Sequence, residues 1–169
     1  MLKNVPPNSR TKHLIVDNIC RLGNTVLFKI IMLSAAMPIS FEKITRGYLY
    51  SYETLAELWG YKSHHPLGCG VFTPSNDNKI VLFVTEEKRS GATQYVDCLS
   101  GNILEWEGPK KHRGEDRMIN AEATGEEIHL FYRKRYDTDL TYLGRLKVLS
   151  HTLHTDRPSR FKFMVHQSG

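Results

Sequence analysis

The sequence is poor in cysteine and has no paired-cysteine motif. Its three cysteines, Cys20, Cys69 and Cys98, are far apart, and no Cys-x-x-Cys pair occurs. An odd, scattered set indicates neither a disulfide framework nor a zinc ribbon. A chain of 169 residues is long enough to bury a normal core without disulfides. We therefore expect a protein of the reducing cytoplasm.

Catalytic and metal-binding motifs are also lacking. No nucleophile-elbow or triad-like context surrounds a serine or cysteine. His151 and His154 are three residues apart where a predicted strand ends, so they should point to opposite faces, and no third ligand follows at a metal-site spacing. The pair His64-His65 precedes Pro66 in a predicted loop. We predict a protein that is not an enzyme and that binds no metal or other cofactor.

Long apolar runs are missing too. The strongest, Thr25 to Met37 (TVLFKIIMLSAAM), contains Lys29 and is shorter than the roughly 20 residues that span a bilayer. A signal sequence would begin its apolar region nearer the start of the chain. The run is interpreted as a buried helix or a segment that covers another domain, with no membrane partner expected. Membrane association, or a remnant of a longer parent chain, remains the alternative.

The basic charge is distributed unevenly. The formal charge of +5 resides in residues 1–46, which hold seven Lys or Arg against Asp17 and Glu42. Residues 47–169 hold 16 basic and 16 acidic residues, a net charge of zero. The body of the chain can bind a polyanion only through locally segregated charge, which favours a site-specific reader over a nonspecific coater of DNA.

The pattern from Gly47 onward predicts a mainly β (α+β) domain with one short helix before it. Ser51 to Trp59 has a capping serine, apolar residues at helical spacing and Gly60 as a stop signal. Turn-forming residues then separate runs typical of strands. The predicted strands are Gly70–Thr73, Lys79–Thr85, Thr93–Asp97, Asn102–Glu107, Arg117–Asn120, Glu127–Arg135, Thr141–Leu149 and Arg160–Val165. Many short strands at such spacing indicate an antiparallel barrel or sandwich.

Alternation predicts which face of each strand is buried. In Thr141–Leu149 one face carries Tyr142, Gly144, Leu146 and Val148, and the other carries Leu143, Arg145 and Lys147. In the last strand Phe161, Phe163 and Val165 oppose Lys162 and Met164. The run from Ile80 to Val84 is apolar throughout, so that strand should lie centrally with both faces covered.

Basic side chains cluster at two strand ends between Ile103 and Arg135. The first cluster is a loop with Lys110, Lys111, His112, Arg113 and Arg117, and the second is Arg133, Lys134 and Arg135. Cations at strand ends can hold phosphates while nearby aromatic side chains meet bases. We predict that these eight residues bind duplex DNA, against the alternative of ordinary solvated loops.

The succession of segments from Gly47 resembles a known but uncharacterised domain family. It reads GYLYSYETLAELWGY, GVFTP, IVLFVTEEK, TQYVDCLSGNILEWEG, DRMINA, EIHLFYRKR and TYLGRLKVLSH. The resemblance covers roughly Ile44 to Val165, and the family forms the C-terminus of restriction-type proteins. In those proteins a phospholipase-D-type nuclease and a superfamily-two helicase, or an HNH nuclease, precede the domain. We accordingly divide the chain into an N-terminal helical or irregular extension, residues 1–43, and a DNA-recognition domain, residues 44–167.

The resemblance implies a noncatalytic target-recognition domain of modification-dependent (type IV) restriction, built as an antiparallel β-barrel similar to SRA and B3 domains. Such a domain reads duplex DNA containing 5-methylcytosine or a related base. The chain departs from the full-length pattern, because no nucleotide-binding loop, His-x-Lys pair or HNH constellation is present. From this departure we expect either a fragment or truncated product of a longer protein or a domain that works with a separate effector.

Reading a modified cytosine requires a flat apolar wall and an acceptor for the N4 amino group. Tyr95, Asp97, Trp106 and Tyr132 supply these chemical types and are the predicted base pocket. Each has a structural alternative: a core tryptophan, barrel-lining tyrosines, or an aspartate that caps local backbone groups. If these residues are structural, the next candidates are the loops Arg133–Tyr142 and Lys88–Gln94.

Two functions from different classes follow. The first is recognition of modified duplex DNA for a restriction or defence system. The second is a protein-interaction or structural domain that docks onto a helicase or nuclease through the apolar N-terminal segment. A small nuclease with an unrecognised site is a third alternative.

Overall fold

A computed structural model describes residues 38–92 and 95–166, and within these ranges the chain is mainly β. The strands are β1 Leu49–Tyr50, β2 Val71–Phe72, β3 Lys79–Glu87, β4 Cys98–Ser100, β5 Ile103–Glu107, β6 Glu127–Arg135, β7 Leu140–Thr152 and β8 Arg160–Val165. The helices are α1 Tyr52–Leu58 and α2 Glu115–Thr124, with a short 3-10 helix at His65–Cys69. The predicted helix α1 is confirmed, and the side chain of Ser51 caps it by accepting from Thr54 N.

The strands form one curved, open sheet. Their order is β2-β3-β6-β7-β8-β5-β4, and β1 pairs with the start of β7. Every pair is antiparallel except β3 and β6, which run parallel from Lys79 opposite Glu127 to Glu87 opposite Arg135. In the described ranges no pairing joins β2 to β4. The predicted barrel is therefore a loosely curved sheet that does not close.

The first core cluster lies on the face of the sheet that α2 covers. It contains Ile80, Leu82 and Val84 of β3, Leu130 of β6, Trp106 of β5, Phe163 of β8 and Met118 of α2. Phe161, Phe163 and Val165 are buried here, which confirms the predicted inner face of β8.

The second core cluster lies on the opposite face, under α1. It contains Ile39, Tyr50, Leu55, Trp59, Val81, Phe83, Phe131 and Tyr142. Because the alternate residues of β3 belong to the two clusters, both faces of this strand are covered, as its continuous apolar run predicts.

A β-bulge in β7 changes the predicted inner face of that strand. Leu130 pairs with Gly144 and the next residue, Phe131, pairs with Tyr142, so Leu143 is the extra residue. The extra residue moves Tyr142 into the second cluster and Leu146 into the first. The expectation that Tyr142 and Leu146 share one side is wrong for this reason.

One predicted strand is a helix. Arg117–Asn120, expected to be a strand, lies inside α2. Glu115 and Asp116 occupy the first turn, where carboxylates interact favourably with the helix dipole, and Met118 and Ala121 are buried three residues apart. The strand predicted at Thr93–Asp97 is displaced: the described residues 95–97 are irregular, and β4 begins at Cys98.

The segment just before the predicted domain boundary belongs to the core. Ile39 is only 2% exposed, and its backbone nitrogen donates to Asp77 Oδ2 at 2.6 Å. Trp59 Nε1 donates to the carbonyl of Ser40 at 2.9 Å, and the Phe41 ring stacks on His129 with 3.7 Å between centroids. The predicted apolar segment Thr25–Met37 lies outside the described residues. Within the described ranges no helix has the length and apolarity to cross a bilayer.

Candidate functional site

The loop between β5 and α2 presents three exposed cations. Lys110, Lys111 and Arg113 are exposed, and none forms an ion pair with another residue of the described ranges. We call these three residues the basic loop. Their charges are available to a polyanion, because no carboxylate in the described part of the chain neutralises them by direct contact.

A buried polar cluster anchors the basic loop. His112 has a positive φ of 53°, and its Nδ1 lies 2.9 Å from Oε1 of the buried Glu115. Ser159, fully buried before β8, donates its hydroxyl to Glu115 Oε2 at 3.0 Å. The carbonyl of Ser159 accepts from Gly108 N at 2.8 Å. We call His112, Glu115 and Ser159 the loop anchor, which ties the basic loop to α2 and β8.

Arg117, predicted to contact DNA with the basic loop, uses its guanidinium inside the domain. Its Nε donates to Glu126 Oε1 at 2.5 Å, and one terminal nitrogen donates to the carbonyl of Asp77 at 2.8 Å. This half-buried side chain ties α2 to the turn before β3. His112 likewise serves the loop anchor rather than the open surface.

Arg133 of the second basic cluster is held between two tyrosine rings. Its guanidinium carbon lies 5.6 Å from the centroid of Tyr52 and 4.9 Å from that of Tyr136. Its Nε donates to Thr85 Oγ1 at 2.8 Å, and a terminal nitrogen donates to the carbonyl of Thr138 at 2.9 Å. Four contacts therefore fix the orientation of this side chain.

Tyr52, Arg133 and Tyr136 line a cavity of about 220 Å³ that we call the tyrosine–arginine pocket. The other lining residues are Tyr50, Ser51, Glu53, Asp137, Thr138, Asp139 and Leu140. Tyr136 is 50% exposed, so part of its ring is open to a ligand. Burial raises the pKa of Tyr52, an effect that the nearby Arg133 partly offsets. The tyrosine therefore stays a neutral hydrogen-bonding group at physiological pH.

The other two members of the second basic cluster differ in their availability. Arg135 makes a two-pronged contact with Asp137, at 3.2 Å from Nε and 2.6 Å from a terminal nitrogen. Lys134 is exposed and has no ion-pair partner in the described residues. Lys134 is thus an exposed cation near the end of β6 that is open to a polyanion.

Of the predicted base pocket, Tyr95 and Asp97 converge on Lys88. The Lys88 ammonium lies 4.9 Å from the Tyr95 centroid and 2.5 Å from Asp97 Oδ2. Asp97 Oδ1 accepts from Glu107 N at 3.1 Å. Burial raises the pKa of Asp97, and the contact with Lys88 opposes this effect. Both carboxylate oxygens of Asp97 are therefore engaged inside the protein.

Trp106 and Tyr132, the other two residues of the predicted base pocket, also have partners inside the protein. Trp106 is 6% exposed and packs on Phe161 and Phe163 in the first core cluster, although its edge lines a separate cavity of about 290 Å³. The hydroxyl of Tyr132 donates to Glu86, and burial together with this carboxylate raises its pKa. Neither Tyr95, Asp97 nor Tyr132 lines that cavity.

The structure thus brings together residues that the sequence analysis treated separately. Tyr52 and Tyr136 belong to no sequence motif that predicts a base pocket: Tyr52 begins α1, and Tyr136 follows β6. The signal for Tyr136 was its place directly after the basic run Arg133–Arg135, within the loop named as an alternative site. Tyr52 offered no local signal, because only the fold places α1 beside the β6–β7 hairpin. The described residues contain no group of three or more His, Cys, Asp or Glu that could hold a metal ion.

Comparison with solved structures shows the same fold in SRA domains. The structure of SUVH5 SRA bound to fully hydroxymethylated CG DNA matches with a TM-score of 0.52 and 12% identity, covering 78% of this chain and 95% of that one. The SUVH5 SRA complexes with hemimethylated and fully methylated CG DNA match over the same shares, with TM-scores of 0.52 and 0.51 and 14% identity. The predicted SRA-like, mainly β fold is therefore confirmed.

Comparison with curated proteins gives no match. A family profile does match, over residues 44–165, which is most of the chain. On this evidence the chain belongs to the family described as "Domain of unknown function (DUF3427)".

Proposed function

We propose that this domain binds duplex DNA and recognises a modified base, 5-methylcytosine or a close relative, without catalysing a reaction. The observation that carries the proposal is the tyrosine–arginine pocket, where a fixed guanidinium and two tyrosines surround a small cavity on an SRA-like fold. The SRA neighbours were solved with methylated or hydroxymethylated DNA, which supports the same class of ligand here.

The chemistry of the pocket suits a single heterocycle. Its volume of about 220 Å³ is below the roughly 300–1,000 Å³ typical of drug-sized ligands. The open ring of Tyr136 supplies a stacking surface, and stacking contributes roughly 1–3 kcal/mol per base. Asp139 lines the pocket and forms no ion pair with another described residue, so its carboxylate can accept a hydrogen bond from a base amino group.

The exposed cations supply the second requirement, a grip on the sugar–phosphate backbone. In the proposal Lys134 contacts a phosphate from the end of β6, and the basic loop contacts phosphates elsewhere on the duplex. Such contacts position the protein but carry no sequence information. Arg117, Arg135 and His112 have internal partners and make smaller contributions in this scheme.

The base pocket predicted from the sequence is retained as a second proposed location. Trp106 lines a cavity of about 290 Å³, and Tyr95 and Asp97 meet near its rim residue Val96. Asp97 could accept a hydrogen bond from a base there only if its contact with Lys88 were displaced. The tyrosine–arginine pocket needs no such displacement of its carboxylate Asp139, and it is therefore the preferred location.

The biological setting is part of the proposal. The resemblance to domains that follow helicases and nucleases supports a role in restriction or defence, with a nuclease or helicase partner or parent chain acting on the DNA that this domain selects. Cys69 and Cys98 are free and exposed, which suits a reducing cytoplasm.

The direct test is the titration of labelled duplexes that are plain, methylated or hydroxymethylated at one CG site, followed by fluorescence anisotropy at two salt concentrations. The proposal expects salt-dependent binding of all three duplexes and tighter binding of a modified one. Absence of binding at low salt would exclude the DNA-binding function.

A further inference from the structure

A third cavity, lined by residues other than those of the tyrosine–arginine pocket, carries two arginines. It has a volume of about 440 Å³ and is formed by Ile44, Arg46, Tyr142, Gly144, Arg145 and His166. The two cavities share no lining residue. We call this the arginine cavity. No acidic residue is among the residues that line it.

Backbone hydrogen bonds fix the three segments that form the arginine cavity. Gly47 N donates to the carbonyl of Tyr142 at 2.8 Å, and Tyr142 N donates to that of Tyr48 at 3.1 Å. His166 N donates to the carbonyl of Arg145 at 2.8 Å. The segment before β1, the middle of β7 and the end of β8 are thus held together, so the cavity is a feature of the folded sheet.

The cations of the cavity are only partly neutralised. The side chain of Arg46 forms no hydrogen bond or ion pair with another residue in the described part of the chain. Arg145 lies 3.4 Å from Glu127 Oε1, and the other oxygen of Glu127 lies 3.1 Å from His129 Nε2. The carboxylate of Glu127 therefore offsets the charge of Arg145, whereas Arg46 retains an uncompensated charge.

Gly144 lines the cavity next to the side chain of Arg46. This glycine has a φ of +108°, a conformation that other residues rarely adopt. A β-carbon at this position would be in ordinary van der Waals contact with Arg46, 3.6 Å from its Cδ and 3.7 Å from its Nε, so the positive φ rather than lack of space favours glycine here. Arg145, the next residue along β7, lines the same cavity as Arg46.

We propose that the arginine cavity binds a phosphoryl group. Two guanidinium groups at one concave site match the geometry of phosphate oxygens, to which arginine donates paired, charge-assisted hydrogen bonds. Tyr142 also lines the arginine cavity, and its hydroxyl is hydrogen-bonded to His129 Nδ1 at 2.8 Å. The phosphoryl group belongs to a free phosphate compound or to a nucleic acid strand, and the experiment below distinguishes these sources.

The test is calorimetric titration of the full chain with inorganic pyrophosphate, with deoxycytidine monophosphate and with a plain 12-base-pair duplex. The variants are Arg46→Gln and Arg145→Gln, with Lys62→Gln as a matched control, because Lys62 is an exposed cation outside the cavity. Thermal unfolding of each variant checks that the fold is intact. Each arginine substitution should weaken phosphoryl binding about tenfold, and the control should leave it unchanged.

The pattern of losses identifies the source of the phosphoryl group. A free phosphate compound is indicated if pyrophosphate or the nucleotide binds and both arginine variants weaken that binding. A strand phosphate is indicated if only duplex binding weakens and its salt dependence falls. The proposal is overturned if no ligand binds more weakly to the arginine variants than to Lys62→Gln. Because the arginine cavity and the tyrosine–arginine pocket have separate residues, loss of base discrimination in a Tyr136 variant would leave this result unaffected.

Discussion

The Nδ1 atom of His112 lies 2.9 Å from Oε1 of Glu115, and this contact holds the end of the basic loop to the first turn of α2. The same carboxylate accepts a hydrogen bond from the buried hydroxyl of Ser159. A buried carboxylate with two partners can fix the position of cations that it does not itself touch.

Replacing Glu115 by alanine should therefore lower the stability of the domain and also release the basic loop from α2. Loss of the carboxylate leaves the Ser159 hydroxyl without its acceptor, so we expect a cost of about 1–3 kcal/mol in urea unfolding. Glu122→Ala is the control, since Glu122 lies in the same helix but is exposed, and its ion pair within the described residues is with Lys147 at 3.0 Å. Equal stabilities of the two variants would contradict the anchoring role.

The basic loop should contribute to DNA affinity regardless of base modification. If Lys110, Lys111 and Arg113 contact phosphates, changing all three to alanine should weaken binding to plain and methylated duplex alike. The slope of log K against log salt should flatten by about 0.9 for each lost contact. Arg117→Ala should instead reduce stability, because it breaks the contacts with Glu126 and Asp77. An unchanged salt slope in the triple variant would remove the basic loop from the interface.

The folded domain should begin before Ile39. Deleting residues 1–37 should leave a cooperative unfolding transition, because the buried Ile39 and the stacked Phe41 remain. Deleting residues 1–43 removes both side chains and also the Ser40 carbonyl that accepts from the Trp59 indole. We expect the free energy of unfolding to fall by several kcal/mol, the usual scale for lost core side chains. Circular dichroism melts of the two truncations make the comparison. Equal melting temperatures would place the boundary at Ile44, as the sequence suggested.

Stability should fall in mild acid through His129. Burial lowers the pKa of this histidine to about 4, from an ordinary value near 6.5, despite the opposing influence of Glu127. The unfolded chain binds the proton more readily than the folded one. The contribution of the neutral His129 to the free energy of unfolding is therefore complete above pH 6.5 and is lost as the pH falls towards 4. Unfolding free energies from urea titrations at pH 7.5 and pH 5 should differ less in His129→Gln than in the unmodified chain. If the free energy of unfolding changes equally between the two pH values in His129→Gln and in the unmodified chain, other groups are responsible for the acid sensitivity.

Most of the fold was predictable because its signals are local. The capping Ser51, the continuous apolar run of β3 and the alternation of β8 specified α1 and two strands correctly. The β7 bulge was not predictable, since an extra residue such as Leu143 leaves no mark in a pattern of period two. The strand predicted at Arg117–Asn120 was wrong because its window was too short to show the helical spacing of Met118 and Ala121.

The candidate site was less predictable because it depends on contacts between distant segments. Charge clustering located Arg133, but only the fold shows that Tyr52, 81 residues earlier, lies beside it. Trp106 had the right chemistry for a base pocket, and the structure places most of its surface in the core. Residue type alone does not distinguish a stacking wall from a buried ring.

In the function that we propose, the tyrosine–arginine pocket reads the modified base. The most direct measurement is the ratio of affinities for methylated and plain duplex, determined by anisotropy for the unmodified chain and for Tyr136→Leu. Tyr48→Leu is the control, since Tyr48 is 65% exposed and lies outside the pocket. Leucine removes the flat ring, so affinity for methylated DNA should fall about 5- to 150-fold while affinity for plain DNA and the melting temperature stay nearly constant. A ratio in Tyr136→Leu equal to that of Tyr48→Leu and of the unmodified chain would contradict the claim.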